Sequence, residues 1–187
     1  MGNSPCRRKP NRVLLLGLDN VGKTTILYRL KFRRVIETVS TVGFNTEKVR
    51  FKNQAFYVLD FGGHEKIRWL WYRYCHDIHA VMFVIDISDR QRIPEVQELF
   101  SRLLETRELA HTCLLVYAND RNTGTPMTKD EIIAALGLQN LADRPWHLKA
   151  VQATGKKDDD LFQGFEWLQS RVQEKARAKR QDKGLKK

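Results

Sequence analysis

Gly17-Leu18-Asp19-Asn20-Val21-Gly22-Lys23-Thr24-Thr25 is the stretch that decides the fold. It follows a short apolar run, Val13-Leu14-Leu15-Leu16, and opens an apolar-periodic segment carrying Ile26, Leu27 and Leu30. Strand, glycine loop and helix in that order are the context in which G-x-x-x-x-G-K-[ST] makes a phosphate site. Gly17 and Gly22 let backbone N–H groups curl around an anion without side-chain obstruction. Lys23 adds a point charge for β- and γ-phosphates, and Thr24 offers a hydroxyl to Mg²⁺. The helix N-terminus beneath contributes orphan N–H groups and the positive end of its dipole. The candidate cradle is therefore Gly17, Asp19, Asn20, Val21, Gly22, Lys23, Thr24 and Thr25, and a nucleoside triphosphate is its expected occupant.

Outward from this loop, β and α patterns alternate. Residues 44–51 and 55–61 read as strands joined through Lys52-Asn53-Gln54. Residues 80–87 and 112–119 are continuous apolar runs, as expected of strands buried on both faces of a parallel sheet. Helical patterns follow at residues 93–104 and 129–136, the second opened by Thr128 with Glu131 as a capping box. Residues 147–153 read as a weaker last strand, and Phe162, Phe165, Trp167 and Leu168 lie on a final helix. With the strand before the loop this gives six strands in one three-layer α/β domain, its ligand at the carboxyl ends of the strands.

The 187 residues suit a single domain. The longest apolar run is strand-sized, too short to span a membrane, and the run after Arg12 is too short for a secretory signal. Cys6, Cys75 and Cys113 form no disulfide framework, which fits a reducing compartment, and Cys113 reads as a core thiol. Cys75, His76 and His79 on one segment, without a second cluster, are poor grounds for a zinc site. The net charge of +11 sits almost wholly at the two ends, residues 1–12 and 171–187. A neutral body with basic ends points to tethering on an acidic membrane surface rather than to nucleic acid read along a face. Met1-Gly2-Asn3-Ser4-Pro5-Cys6 half-matches the myristoylation pattern, with Cys6 where Ser or Thr is preferred. Gly2 is the candidate for myristate and Cys6 for palmitate, and a polybasic patch supplies the second signal that makes one acyl chain a stable anchor. The organisation read here is a basic N-terminus over residues 1–12, a domain over 13–172 and a basic tail over 173–187.

Asp60-Phe61-Gly62-Gly63 closes a strand with D-x-x-G, and Thr38-Val39-Ser40-Thr41-Val42-Gly43-Phe44-Asn45 leads into the strand before it. With Lys66-Ile67-Arg68 and Leu70-Trp71, these segments resemble the Arf and Arf-like branch of small GTPases along nearly the whole chain. Leu27-Tyr28-Arg29-Leu30, Gly43-Phe44-Asn45-Thr46-Glu47-Lys48 and Pro145-Trp146-His147-Leu148 look most like the Arf-like protein 4 subgroup. The resemblance implies a P-loop small-GTPase domain whose six-stranded, mostly parallel sheet has helices on both faces. It implies GTP and GDP with Mg²⁺ as ligands, Thr41 as a Mg²⁺ ligand, Asp60 holding Mg²⁺ through water, and the Gly63 N–H sensing the γ-phosphate. It also implies a monomer with protein effectors, an exchange factor and a GTPase-activating protein as partners.

Three departures modify those expectations. His64 stands where the family carries the glutamine that orients the attacking water, which implies slow turnover. The family's N-K-x-D becomes Asn119-Asp120-Arg121-Asn122. Asn122 offers one acceptor and an NH₂ where a carboxylate would take two bonds from guanine, a loss of ~2–5 kcal/mol. Asn119 can hold the loop, and Ala153 matches the backbone N–H that reads guanine O6, so guanine recognition is expected to be weakened rather than lost. The short segment before Val13 carries Arg7, Arg8, Lys9 and Arg12, is broken by Pro5 and Pro10, and has no apolar helical face. Attachment would then be independent of nucleotide. Phe44 and Tyr74 match the family's effector contacts, with Leu59 in place of a third, usually Trp. Trp69 replaces a proline as an exposed anchor candidate, and Trp71 is expected in the core.

The leading reading is a GTP-binding switch on the cytoplasmic face of a membrane, the plasma membrane foremost, with cytosolic and nuclear fractions. It recruits effectors in signalling or membrane trafficking and hydrolyses slowly. The alternative is a pseudo-GTPase interaction module that keeps the fold, binds guanine nucleotide weakly and does not cycle.

Overall fold

A computed structural model describes residues 10–156 and 159–184. The strands are β1 (Asn11–Leu16), β2 (Phe44–Phe51), β3 (Gln54–Phe61), β4 (Ala80–Asp86), β5 (Cys113–Asn119) and β6 (Trp146–Val151). The helices are α1 (Lys23–Phe32), α2 (Trp69–Arg73), α3 (Ile93–Glu105), α4 (Lys129–Leu136) and α5 (Asp159–Gly184). One sheet runs β2-β3-β1-β4-β5-β6, parallel except for the β2–β3 hairpin, which turns at Lys52 and Asn53. This is the six-stranded sheet that the alternating patterns predict.

Continuous apolar strands need cover on both faces. Val13 to Leu16 and Leu114 to Tyr117 are fully buried. Because side chains alternate along a strand and Phe83 pairs with Val116, Phe83 and Tyr117 face opposite sides of the sheet. On one side Phe83 meets Phe100 of α3 edge-on at 5.0 Å. On the other, the Tyr117 hydroxyl donates to the Leu161 carbonyl of α5 at 2.7 Å. Leu161, Phe165, Leu168 and Val172, spaced by four, three and four, form the buried stripe of α5. Phe165 lies edge-on to both Phe51 and Phe56, 5.1 Å from each, and each such fully buried side chain is worth about 1.5–3 kcal/mol.

Three boundaries differ from the sequence reading for a reason visible in the contacts, and β3, β4 and α3 each shift by one residue. β6 begins at Trp146 and ends at Val151, because Ala153 leaves the sheet to donate its N–H to Asn119. β5 begins at Cys113, because Thr112 is folded back by two bonds to the Leu109 carbonyl. α5 continues twelve residues past 172, to Gly184, so much of the basic tail is helical.

Candidate functional site

The loop between β1 and α1 needs a left-handed residue to turn into the helix, and Gly22 supplies it at φ 91°. A Cβ there would come within 2.5 Å of the Asn119 side-chain nitrogen, so the position admits glycine alone for two reasons. Lys23 begins α1 only 6% exposed, its Nζ donating to the Leu18 carbonyl at 2.5 Å. Burial lowers its pKa from 10.5 to about 8, opposed by the charges of Asp60 and Asp19. Asn20 sits left-handed at φ 58° and accepts from Ser40 at 3.2 Å, while Thr25 meets Thr38 at 3.0 Å. Both bonds draw the segment before β2 over the cradle. Arg92, from the turn before α3, grips both the carbonyl and the carboxylate of Asp19.

Three hydroxyl and carboxyl groups converge beside Lys23. Thr24 Oγ1 donates to Asp60 Oδ2 at 2.6 Å and lies 2.9 Å from Thr41 Oγ1. Asp60 is fully buried at the end of β3, and its Oδ1 has no hydrogen-bond partner. Burial raises its pKa, against the bond from Thr24 and the charge of Lys23. A buried carboxylate with a spare oxygen beside two threonine hydroxyls is a hard, all-oxygen set that fits Mg²⁺, the nearby phosphates completing it. Thr24, Thr41 and Asp60 are the residues that would hold it.

Gly63 presses its backbone on the phosphate loop, where a Cβ would stand 2.1 Å from the Leu18 carbonyl carbon. Arg68 holds the Gly63 carbonyl at 2.7 Å and is itself paired with Glu95 of α3 at 2.6 Å. Trp71 Nε1 donates to the Gly62 carbonyl at 3.1 Å, and the ring is buried as expected. His64 is exposed on the cavity rim, its Nδ1 accepting from the Lys66 N–H at 3.3 Å.

The base end is less open. Asn119 is 2% exposed, with its amide donating to the Val21 carbonyl and accepting from the Ala153 N–H, both at 2.9 Å. The Ala153 N–H expected to read a base oxygen is thus engaged with Asn119. Asp120 Oδ1 accepts from Ser88 Oγ and from the Asn122 N–H, both at 2.8 Å, and the latter bond leads in lowering its pKa. That Asx turn places Asn122 in the left-handed region at φ 56°, its side chain directed to Gln152 at 3.4 Å. Asn122 does not line the cavity, contrary to the expectation for it. Asp120 and Arg121 do, Arg121 lying 3.7 Å from the buried Asp86 carboxylate.

These groups surround a cavity of about 790 Å³, large enough for a nucleotide. Asp19, Asn20, Gly22, Lys23, Thr24, Thr25, Thr41, Gly63, His64, Asn119 and Ala153 all line it, whereas Gly17, Val21 and Asp60 support it from behind. Sequence reasoning missed the wall at residues 35–37, and it missed Arg121 and Thr154. A long loop between α1 and β2 was the one signal for that wall.

On the hairpin side, Phe44 is 40% exposed and packs on Tyr74 at 4.8 Å and Phe61 at 5.3 Å. Trp69 is 58% exposed under the Arg73 guanidinium at 5.2 Å. Leu59, expected on this surface, is buried in β3, an interior strand flanked by β2 and β1. Gly2 and Cys6 lie outside the described residues.

Comparison with known proteins agrees with this geometry. The model of the ADP-ribosylation factor family matches residues 2–172. The chain is 40% identical over 168 residues to ADP-ribosylation factor J of Dictyostelium discoideum, covering 90% of this chain and 88% of the relative. Among solved structures it is similar to the Arl6 (BBS3) small GTPase of Trypanosoma brucei, solved with the nucleotide analogue GppNp. The TM-score is 0.80 and the identity 32%, covering 89% of this chain and 99% of that one. With the phosphate loop, the D-x-x-G turn and the six-stranded sheet all in place, the chain belongs to the ADP-ribosylation factor family of small GTPases.

Proposed function

We propose that this chain is a membrane-tethered Arf-like switch, of the Arf-like protein 4 type, that binds GTP with Mg²⁺ and hydrolyses it slowly. The observation that carries this is the converged set of Lys23, Thr24, Thr41 and Asp60 with a spare buried carboxylate oxygen. Lys23 and the loop N–H groups are placed to neutralise phosphate charge, and Thr24, Thr41 and Asp60 would hold a Mg²⁺ that supplies further positive charge to the phosphates. Ser40 and Thr38 contacts close the segment before β2 over the bound phosphates, and loss of the γ-phosphate releases it. That change would alter the Phe44–Tyr74 surface and Trp69, which effectors read, while an exchange factor and a GTPase-activating protein set the cycle. The chain acts as a monomer.

His64 is the ground for expecting slow hydrolysis. Its Nδ1 is the acceptor for the Lys66 N–H, which leaves Nε2 protonated and able only to donate. Such a group can donate to a water but cannot accept its O–H, as a glutamine amide oxygen can. His64→Gln should raise single-turnover hydrolysis about tenfold or more, and an unchanged rate would remove His64 from the reaction.

An acyl group at Gly2 or Cys6, with the basic ends, would hold the chain on the cytoplasmic face of an acidic membrane, the plasma membrane above all, with cytosolic and nuclear fractions. Sedimentation of the full acylated chain with phosphatidylserine vesicles tests this. Equal binding of the GTP- and GDP-loaded forms is expected. At about 1 kcal/mol per basic residue near the surface, replacing Arg177, Lys179, Arg180, Lys183, Lys186 and Lys187 by Gln should weaken it tenfold or more. Binding that follows the nucleotide, or survives the substitutions, would contradict the tether.

A second reading, a pseudo-GTPase that presents the same surface without cycling, is favoured by the engaged base end, where the Asn119 side chain bridges Val21 and Ala153 and the Asp120 carboxylate takes the Asn122 N–H.

A further inference from the structure

The loop after β6 is held from behind by one side chain. Arg29, in the second turn of α1, is 3% exposed, and its guanidinium reaches three backbone carbonyls of that loop. Nη1 donates to Gln152 O at 2.9 Å and Ala153 O at 2.7 Å, and Nη2 to Gly155 O at 2.6 Å. The Gly155 N–H closes the turn on Gln152 O at 3.0 Å.

The contacts continue as a ring. From Ala153 the N–H runs to Asn119 Oδ1, and from Asn119 Nδ2 the next bond runs to the Val21 carbonyl of the phosphate loop. Gly22 follows Val21, packed so tightly on Asn119 that a Cβ would clash, and then α1 leads through Lys23 back to Arg29. A buried guanidinium is costly to desolvate, and three charge-assisted bonds to carbonyls offset that cost. The planar fork matters, because a lysine ammonium in the same place is a point donor without the two-nitrogen spread that spans 152 to 155.

We propose that Arg29 is a positioning residue that locks the base-side loop, through Asn119, to the phosphate loop and so sets how long a nucleotide stays bound. The proposal rests on the nucleotide-binding reading above. It predicts that the base and phosphate halves of the cavity are coupled through α1, and that disturbing Arg29 affects ligands carrying a base more than ligands without one.

Arg29→Lys in the full chain is the test, because it keeps the buried charge and part of the bonding. The variant should release fluorescent GTP about tenfold faster, the effect of losing one charge-assisted hydrogen bond, while displacement by inorganic triphosphate changes less than about twofold on the same scale. Hydrogen exchange on the nucleotide-free chain should show faster exchange of the Ala153 and Gly155 amides in the variant. Arg29→Met, which removes all three guanidinium bonds, should exceed the lysine variant in both measurements. Equal release from wild type and Arg29→Lys, or equal weakening of GTP and inorganic triphosphate, would overturn the role of Arg29. Absence of GTP binding by the wild-type chain would instead overturn the nucleotide reading, while the exchange measurement still decides whether Arg29 holds the loop.

Discussion

Lys23 is 6% exposed, and its ammonium is held by one carbonyl with the charges of Asp60 and Asp19 nearby. Burial outweighs those charges and brings its pKa from 10.5 to about 8. Between these values the unfolded chain holds the proton and the folded chain has lost it, so stability rises with pH across that window. Below about pH 8 both forms are charged, and the full penalty, roughly 3 kcal/mol, is present. Denaturant titrations of the unliganded chain from pH 7.5 to 10.5 should show this rise relative to Lys23→Met, which lacks the group. Parallel curves for the two proteins would show that the ammonium is already compensated in the empty cavity. A bound triphosphate supplies the missing counter-charge, so the cost is recovered on binding. A residue of this kind is legible in sequence, because the loop motif fixes both its neighbours and its depth. Arg29 is the contrary case: it follows two apolar residues on α1 and reads as an ordinary basic position, and only the packing of α1 against the β6 loop gives it three carbonyls.

α4 shows an element whose signals are all local. Thr128 and Glu131 form the reciprocal capping box, and Gly137 ends the helix left-handed at φ 61°. Its bounds, Lys129–Leu136, coincide with the sequence reading for that reason. Glu131 is used twice, since Arg90 also pairs with it at 2.9 and 3.0 Å and ties α4 to the turn before α3. Thr128→Ala should lower stability by about 1 kcal/mol without altering the phosphate cavity, as read by thermal unfolding alongside nucleotide affinity. A larger loss, or a fall in affinity, would mean that the cap supports the Asp120 loop as well. α2 and α5 were less legible. α2 is a five-residue helix set by Trp71 docking on Gly62, a tertiary event with no periodicity to announce it. The length of α5 beyond Val172 depends on helix propensity in a segment with no buried stripe, so composition alone reads it as a tail.

At the scale of the whole molecule, the six strands and the position of the cavity follow from the strand patterns and one glycine loop, and the structure agrees with both, while the order of the strands is read from the structure alone. The phosphate end was legible residue by residue because its chemistry is written in contiguous motifs. The base end was not, because it is assembled from the ends of β5 and β6. There the Asp120 carboxylate accepts from the Asn122 N–H and Asn122 stands outside the cavity lining, an outcome that needs the folded loop as well as the Asp. The two halves of the molecule therefore argue differently: Lys23, Thr24, Thr41 and Asp60 are set for a triphosphate, and residues 119–122 are not set in the family's way for guanine. Titration calorimetry of the nucleotide-free full chain with GTP, ATP and XTP (the xanthine 2-oxygen can accept from an asparagine amide where guanine presents a donor), each with Mg²⁺, tests the switch most directly. The account predicts saturable, Mg²⁺-dependent binding of GTP in preference to ATP, abolished in Lys23→Met. Binding of XTP alone, or of none of the three, would contradict it and leave a retired switch whose function rests on its aromatic surface.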